Sequence, residues 1–169
     1  MIEETIIISD TNIFLDLITV NMLDALFQLP CDICTSDFVI NEIAWPEQRA
    51  EIDKHIITKE LEAISFGFND LVKINELHNN SSTSMTDCSV WYLAKETGGR
   101  LLTGDGRLRK AAESDGVKVS GILYVFDNLV EYNILDKTTA SALLQQLMAV
   151  NSRLPKQECE KRILRWKKQ

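Results

Sequence analysis

The sequence predicts an α/β fold, a three-layer α/β/α sandwich with a mostly parallel central sheet. Short apolar runs such as residues 5–9 are rich in β-branched side chains and do not alternate with polar ones. Such runs are typical of strands that are covered on both faces. Helical patterns of about 10–15 residues separate the runs. Because parallel strands are joined by crossover helices, this alternation favours a parallel sheet between two helical layers.

The predicted strands are short apolar runs bounded by polar residues or glycine. They cover residues 5–9, 33–35, 63–66, 100–103 and 117–119. The first run stops at Asp10-Thr11-Asn12, and the fourth is broken by Gly104-Asp105-Gly106. The third run is ambiguous, and we expect an edge strand there.

The predicted helices are marked by capping residues and by the spacing of apolar side chains. Ser36 and Asn69 are expected to cap two of them, and Ser84 with Asp87 opens another that ends at Gly98-Gly99. Further helices are predicted near residues 108–113, over 122–131 and around 143–148. The side chains expected to point inward from the first four helices are Leu15, Leu23, Leu26, Phe27, Phe38, Val39, Ile43, Leu71, Val72, Ile74, Leu77, Val90, Trp91, Leu93 and Ala94.

Length and composition predict one ordinary globular core. The chain has 169 residues, of which 45% are hydrophobic, and no linker or repeat divides it. Its four scattered cysteines suit a reducing compartment, and Cys34, within an apolar run, is expected in the core. The acidic start Met1-Ile2-Glu3-Glu4 and the early Asp16 and Asp24 disfavour a targeting or membrane-spanning segment. We therefore expect a cytoplasmic protein without a membrane partner.

The charge is unevenly distributed along the chain. The formal net charge is −7, which disfavours a protein that holds nucleic acid by bulk electrostatics. Residues 153–169 carry seven basic and two acidic side chains, a net charge of +5, and this leaves −12 for residues 1–152. The basic tail is either a solvated helix end or an arm for phosphates or an acidic partner.

Four carboxylates from four segments form the candidate site. Asp10 and Asp105 follow the first and fourth predicted strands, Asp87 lies in the first turn of the helix before the fourth strand, and Glu42 lies in the helix after the second. Ligands of open parallel sheets bind where the strands end. Clustered carboxylates need a neutralising cation, and oxygen ligands suit Mg²⁺ or Mn²⁺. Taken singly, each acid is equally explained as a helix cap, a turn residue or a solvated side chain.

These residues resemble the PIN-domain metallonucleases, especially the toxin-type (VapC-like) branch. The resemblance covers roughly residues 4–132. It rests on the first strand with Asp10-Thr11-Asn12, and on the segments Val39–Ile43, Ser84–Asp87, Leu101–Asp105 and Gly116–Val119. It implies a PIN-like nuclease domain over residues 1–135, followed by a C-terminal helical extension with the basic tail over 136–169 that packs on the same domain.

The resemblance implies a Mg²⁺- or Mn²⁺-dependent endoribonuclease that hydrolyses phosphodiester bonds of single-stranded RNA. The catalytic residues, binding the metal directly or through water, would be Asp10, Glu42, Asp87 and Asp105. Support for these ligands or for the substrate would come from Asn12, Ser84 and Thr103, although a cap or a strand-end hydroxyl explains these three equally well. Many relatives place another acid or amide after the fourth carboxylate, whereas this chain has Gly106 to Lys110 there. That departure favours one tightly held metal, or a second metal that is recruited with the substrate.

Substrate and partner contacts are also implied. RNA phosphates would meet Arg107, Arg109 and Lys110, for which surface solvation is an equal explanation. Toxin-type relatives are usually paired with an antitoxin, and an acidic groove would suit a basic element of that partner. The stripe Leu143, Leu144, Leu147 and Met148 is expected in the core, whereas Trp166 near the end of the chain is a candidate for a dimer or antitoxin interface.

Two other classes of function remain open. A PIN-like scaffold could bind protein or RNA without cutting it, because a fold does not fix its chemistry. Alternatively, Asp10 could be a phosphoacceptor, but the phosphatase pattern has an acid two residues later, where this chain has Asn12.

Overall fold

The computed structural model describes residue 2 and residues 5–168. Most of the acidic N-terminal run used above, Met1, Glu3 and Glu4, lies outside the described residues, as does Gln169. Within the described part the strands are β1 (Ile6–Ser9), β2 (Asp32–Ser36), β3 (Leu61–Ile64), β4 (Arg100–Leu102) and β5 (Val119–Ser120). The helices are α1 (Thr11–Thr19), α2 (Leu23–Leu26), α3 (Asp37–Glu42), α4 (Pro46–Ile57), α5 (Phe68–Asn79), α6 (Met85–Thr97), α7 (Gly106–Ser114), α8 (Ile122–Glu131), α9 (Lys137–Val150) and α10 (Lys156–Lys167).

The strands form one parallel sheet in the order β3-β2-β1-β4-β5, which confirms the predicted α/β fold. The central strand β1 pairs with β2 on one side and with β4 on the other, so that Ile8 lies beside both Cys34 and Leu101. Ile7 and Ile8 are fully buried, as expected of a strand covered on both faces. From β1 the chain adds β2 and β3 on one side of the sheet, and it then adds β4 and β5 on the other side. The boundary between β1 and β4 is therefore a topological switch point.

The caps predicted from sequence begin α3 and α6. Ser36 Oγ accepts a hydrogen bond from Val39 N at 3.2 Å, and Ser84 Oγ accepts one from Asp87 N at 3.0 Å. Helix α6 ends at Gly98, whose φ of 69° is the left-handed conformation that favours glycine at this position. The sequence therefore determines both ends of the helix that carries Asp87.

The predicted start of α5 is wrong, and its predicted inner face is wrong at two of four positions, Leu71 and Val72. The helix begins at Phe68 with Gly67 as its cap, not Asn69. Leu71 and Val72 are exposed, whereas Ile74 is buried. The reason is a tertiary contact: Tyr92 Oη of α6 donates to Asp70 Oδ1 at 2.6 Å, which turns the face of Asp70 and Ile74 toward α6.

The segment after β1 also differs from the prediction, which is one helical stretch with Leu15, Leu23, Leu26 and Phe27 on its inner side. It forms two helices, α1 and α2, because the chain turns at Asn21, whose φ is 55°. The buried side chains of α1 are Ile13, Phe14 and Leu17, while Leu15 and Phe27 are only partly buried. Helix α4 was not predicted.

The C-terminal helices are part of the same core, and Trp166 is not the interface residue expected from sequence. It is 5% exposed, and its ring centroid lies 6.4 Å from that of Phe126 in α8. Ile163 lies three residues earlier on the same helix face and is also buried. Arg162 donates to both carboxylate oxygens of Asp127 at 2.7–3.0 Å, which fastens α10 to α8.

As expected, Leu144 and Leu147 of α9 are buried, and so is Cys34 of β2. In the described part of the chain, no helix is both long enough and apolar enough to cross a bilayer.

Truncation of Trp166 tests this packing. We expect Trp166→Ala to lower the free energy of unfolding by about 3–5 kcal/mol, because it removes a large buried ring and leaves a cavity beside Phe126. The control is Leu164→Ala on the same helix, whose side chain is 58% exposed and whose loss should cost about 0.5 kcal/mol or less. Urea unfolding of both variants measures the difference. Equal effects of the two substitutions would contradict the packing described here.

Candidate active site

Asp10 and Asp105 are brought together by the pairing of β1 with β4. Asp10 N donates to Leu102 O at 3.1 Å, so the end of β1 is fastened to the end of β4. Each aspartate then caps the helix that follows: Asp10 Oδ1 accepts from Ile13 N at 3.0 Å, and Asp105 Oδ1 accepts from Leu108 N at 2.8 Å. The structural explanation of these residues as caps is therefore correct. It does not exclude a second role, because both caps lie at the edge where ligands of such sheets bind.

Thr103 connects these two aspartates. Its side chain is completely buried, its Oγ1 accepts from Asp105 N at 3.0 Å, and its hydroxyl also hydrogen-bonds the Asp10 carboxylate. One side chain thus holds both strand ends in register.

Asp87 and Glu42 approach this pair from two helices. Asp87, in the first turn of α6, interacts with the charges of Asp10, Asp105 and Glu42. Glu42 ends α3 and is exposed, and Thr11 Oγ1 donates to its Oε2 at 2.8 Å. The structure therefore places the four predicted carboxylates as electrostatic neighbours, with the exposed Glu42 at the rim.

Buried hydroxyl groups position the helices that carry Glu42 and Asp87. Ser36 Oγ lies 2.7 Å from Ser89 Oγ, which donates to Thr86 O at 2.6 Å. Because Ser36 also caps α3, this contact links the start of α3 to the first turn of α6. Sequence reasoning missed Ser89 and the contact of Thr11 with Glu42. For Ser89 the signal was a hydroxyl inside the apolar stripe of α6, whereas nothing in the sequence pairs it with Ser36, 53 residues away.

Burial and neighbouring like charges destabilise the ionised forms of Asp10 and Asp87. Asp10 is 3% exposed, and burial raises its pKa to about 6. The hydrogen bonds from Thr103 and from Ile13 N lower this pKa by less than burial raises it, and the charges of Asp87 and Asp105 add smaller increases. Burial also raises the pKa of Asp87, and the charges of Asp105 and Glu42 add to the effect. No basic side chain in the described part of the chain forms an ion pair with any of the four acids. Within that part of the chain, no basic side chain therefore compensates their charge.

The remaining predicted residues differ in whether their side chains are free to contact a ligand. Ser84 serves as the cap of α6, and Asn12 is exposed at the edge of a neighbouring cleft. Arg107 and Lys110 are exposed on α7. Arg109 instead donates to Val119 O and Thr103 O at 3.3 and 3.5 Å, and it lies 3.5 Å from Glu113, so it stiffens the edge of the sheet.

The donor chemistry fits a hard divalent cation, because the cluster offers only carboxylate and hydroxyl oxygens. The described side chains are nevertheless not closed around a point: among them, no group of three or more His, Cys, Asp or Glu is placed to hold a metal ion. Water would have to complete the coordination, as Mg²⁺ commonly allows.

Comparison with known proteins identifies the fold and the family. VapBC2 from Rickettsia felis bound to a promoter DNA fragment matches with a TM-score of 0.50 and 18% identity, over 69% of this chain and 98% of that one. PAE2754 from Pyrobaculum aerophilum matches with a TM-score of 0.51 and 13% identity, over 70% and 92%. No curated protein matches significantly. A family model described as a PIN domain (DUF3368) matches residues 6–168. Because that match extends over nearly all of the chain, the chain belongs to the PIN-domain family.

Proposed function

We propose that this protein is a Mg²⁺- or Mn²⁺-dependent endoribonuclease that hydrolyses phosphodiester bonds of single-stranded RNA. The observation that carries the proposal is the uncompensated cluster of Asp10, Asp87 and Asp105 at the carboxyl edge of the sheet. Burying carboxylates beside other carboxylates is costly to the fold unless a cation neutralises them. Membership of the PIN-domain family supports nuclease chemistry.

The proposed roles follow from the positions of the side chains. Asp10, Asp87 and Asp105 would hold the cation, with Glu42 at the exposed side. The cation, when bound, supplies Lewis-acid chemistry: it lowers the pKa of a water molecule and offsets charge that develops on the phosphate. Thr103 keeps the two strand-end carboxylates in place through its hydroxyl group.

The substrate contacts are proposed on exposure and proximity. Arg107 and Lys110 project from α7, the helix that Asp105 caps, and their charges suit phosphates on either side of the cut bond. Asn12 is exposed two residues after Asp10 and can donate its amide to the phosphate. Arg109 contributes less directly, because the backbone oxygens of Thr103 and Val119 already occupy it.

We further propose that the nuclease is the toxin of a toxin–antitoxin pair. Its structural similarity to VapBC2 supports this assignment, and its acidic edge suits a basic element of an antitoxin. A cytoplasmic location is consistent with its four cysteines, all of which are free. A homodimer remains a prediction from the apolar residues of the C-terminal segment, although Trp166, the interface residue expected there, is buried in the core.

One observation favours the alternative of a non-catalytic PIN-like scaffold that binds protein or RNA. The described residues contain no group of three side chains ready to hold a metal ion. A scaffold would keep the fold and its caps without needing a cation at the carboxylates. Metal affinity separates the two functions.

Calorimetric titration with Mn²⁺ tests the metal site. We expect the parent to bind about one equivalent and both Asp10→Asn and Asp105→Asn to lose binding, because each removes a charged oxygen ligand. The matched control is Asp136→Asn, which also replaces a helix-capping aspartate, one that accepts from Thr139 N at 2.9 Å outside the site. The control should bind as the parent does. Binding that is indifferent to Asp10 and Asp105 would favour the scaffold.

Cleavage of RNA tests the enzymatic half of the proposal. Parent and Asp10→Asn protein, purified in parallel, are incubated with total cellular RNA and Mn²⁺, and the new RNA ends are sequenced. We expect defined cleavage sites whose formation is slower by at least about 100-fold in the variant. Cleavage that is equal in the two preparations would come from a contaminant and would contradict the assignment of Asp10.

The raised pKa of Asp10 predicts a pH-dependent cost to the metal-free fold. The folded protein holds the Asp10 proton up to about pH 6, whereas the unfolded chain loses it near pH 4, so the free energy of unfolding falls across that interval. Asp10→Asn keeps the cap and removes the charge. In EDTA we expect the variant to be more stable than the parent by about 2–3 kcal/mol at pH 7, with no difference below about pH 4.

Urea unfolding across this pH range measures that difference, and Mn²⁺ supplies its control. Saturating Mn²⁺ at pH 7 should stabilise the parent and leave the variant unchanged. A stability difference that does not vary with pH would show that Asp10 carries no buried charge.

A further inference from the structure

A large cleft lies beside the carboxylate cluster and uses the C-terminal part of the chain as one wall. Its volume is 820 Å³, within the range of sites for small ligands. Asn12, Thr103 and Gly104 line the side next to the cluster. The end of α9 and its connection to α10 contribute Val150, Asn151, Arg153, Leu154 and Pro155. Because Thr103 hydrogen-bonds Asp10, a chain that passes the carboxylates can continue directly into the cleft.

The chemistry of the cleft suits a nucleotide. Its wall combines apolar and aromatic side chains such as Leu123, Tyr124 and Leu154 with three arginines and two aspartates. The charged side chains of the wall therefore sum to a positive charge, whereas the net charge of the whole chain is −7. A nucleotide needs both kinds of wall, an apolar one for the flat base and a cationic one for the phosphate.

Among the three arginines of the cleft, Arg153 is the one available to a ligand. Arg162 is bound to Asp127, and Arg109 is bound to the oxygens of Val119 and Thr103. The side chain of Arg153 is exposed and forms no hydrogen bond or ion pair with the described residues; it interacts only at longer range with the charge of Asp16.

The segment that presents Arg153 is held in place. Asn151 Nδ2 donates to Asp16 Oδ2 of α1 at 3.0 Å, and Asn151 Oδ1 accepts from Arg153 N at 3.0 Å. One side chain therefore ties the α9–α10 connection to α1, the helix that begins at the candidate active site. A guanidinium on a fixed backbone loses less freedom when it binds an anion than one on a loose tail.

We propose that this cleft binds the nucleotide next to the cleaved phosphodiester bond, and that Arg153 contacts the phosphate of that nucleotide and contributes to substrate selection. The inference rests on the proposed ribonuclease function. It assigns a role in RNA binding to the C-terminal helices, beyond their packing on the core.

Binding of RNA without metal tests the proposal. The probe is a fluorescein-labelled pool of random single-stranded RNA octamers in EDTA, and fluorescence anisotropy is followed over a range of salt concentrations. We expect Arg153→Ala to bind about tenfold more weakly and its dependence of log affinity on log salt to be shallower by about 0.7, the effect of one lost phosphate contact. The control is Lys156→Ala, which removes the same charge three residues later from an exposed side chain outside the cleft, and it should bind as the parent does.

The opposite outcomes are distinct. Equal weakening by Arg153→Ala and Lys156→Ala would overturn the proposal in favour of diffuse attraction to the basic tail. Parental affinity in Arg153→Ala would overturn it too and would leave a segment of a partner protein as the occupant. Failure of the parent to bind the pool would overturn the cleft assignment, while the Mn²⁺ titration would still decide the nuclease function independently.

A measurement on the parent alone supplements the variants. RNA octamers that contain 4-thiouridine are photo-crosslinked to the parent in EDTA, and the modified peptides are mapped by mass spectrometry. We expect crosslinks within residues 119–124, 150–151 and 153–155, which line the cleft. Crosslinks confined to other surfaces would overturn the proposal even if Arg153→Ala failed to fold.

Discussion

The parallel pairing of β1 with β4 is the constraint on which the rest of the site depends. It places the ends of two strands that are about ninety residues apart in the sequence side by side, joined by the hydrogen bond from Asp10 N to Leu102 O. Loops and helix starts from both halves of the chain then converge at that point. A shift of this register by one residue would turn the strand-end side chains to the other face and separate the carboxylates.

The same aspartates serve stability and the proposed chemistry, and these two demands are in conflict. Asp10 and Asp105 each stabilise a helix by capping it. The burial that allows Asp10 to reach Ile13 N also makes its charge costly. Thr103 offsets part of that cost with a hydrogen bond to the Asp10 carboxylate, and the buried pair of Ser36 and Ser89 fixes the helices that carry Glu42 and Asp87. An asparagine at either cap would keep the helix and lose the anion.

The sequence was sufficient to predict the parallel sheet and the strand ends and helix start at which Asp10, Asp105 and Asp87 lie, because these depend on local patterns. Strand ends at Asp10 and Asp105 follow from where apolar runs stop, and the cap of α6 follows from the spacing of Ser84 and Asp87. The exposure of Leu71 and Val72 on α5 and the burial of Trp166 could not be predicted, because each is decided by a distant partner, Tyr92 in the first case and Phe126 in the second. The contact between Ser36 and Ser89 could not be predicted for the same reason, because the two residues are distant in the sequence.

The dependence of one cleft wall on α9 and α10 couples the cleft to local unfolding. These two helices pack chiefly on each other, and the connection between them is held to α1 by the hydrogen bond from Asn151 to Asp16. Segments with few anchoring contacts open more readily than the central sheet. Local unfolding that detaches α10 must expose Trp166, and it also removes one side of the cleft. A ligand that spans the cleft would therefore oppose this unfolding and slow amide hydrogen exchange in α9 and α10.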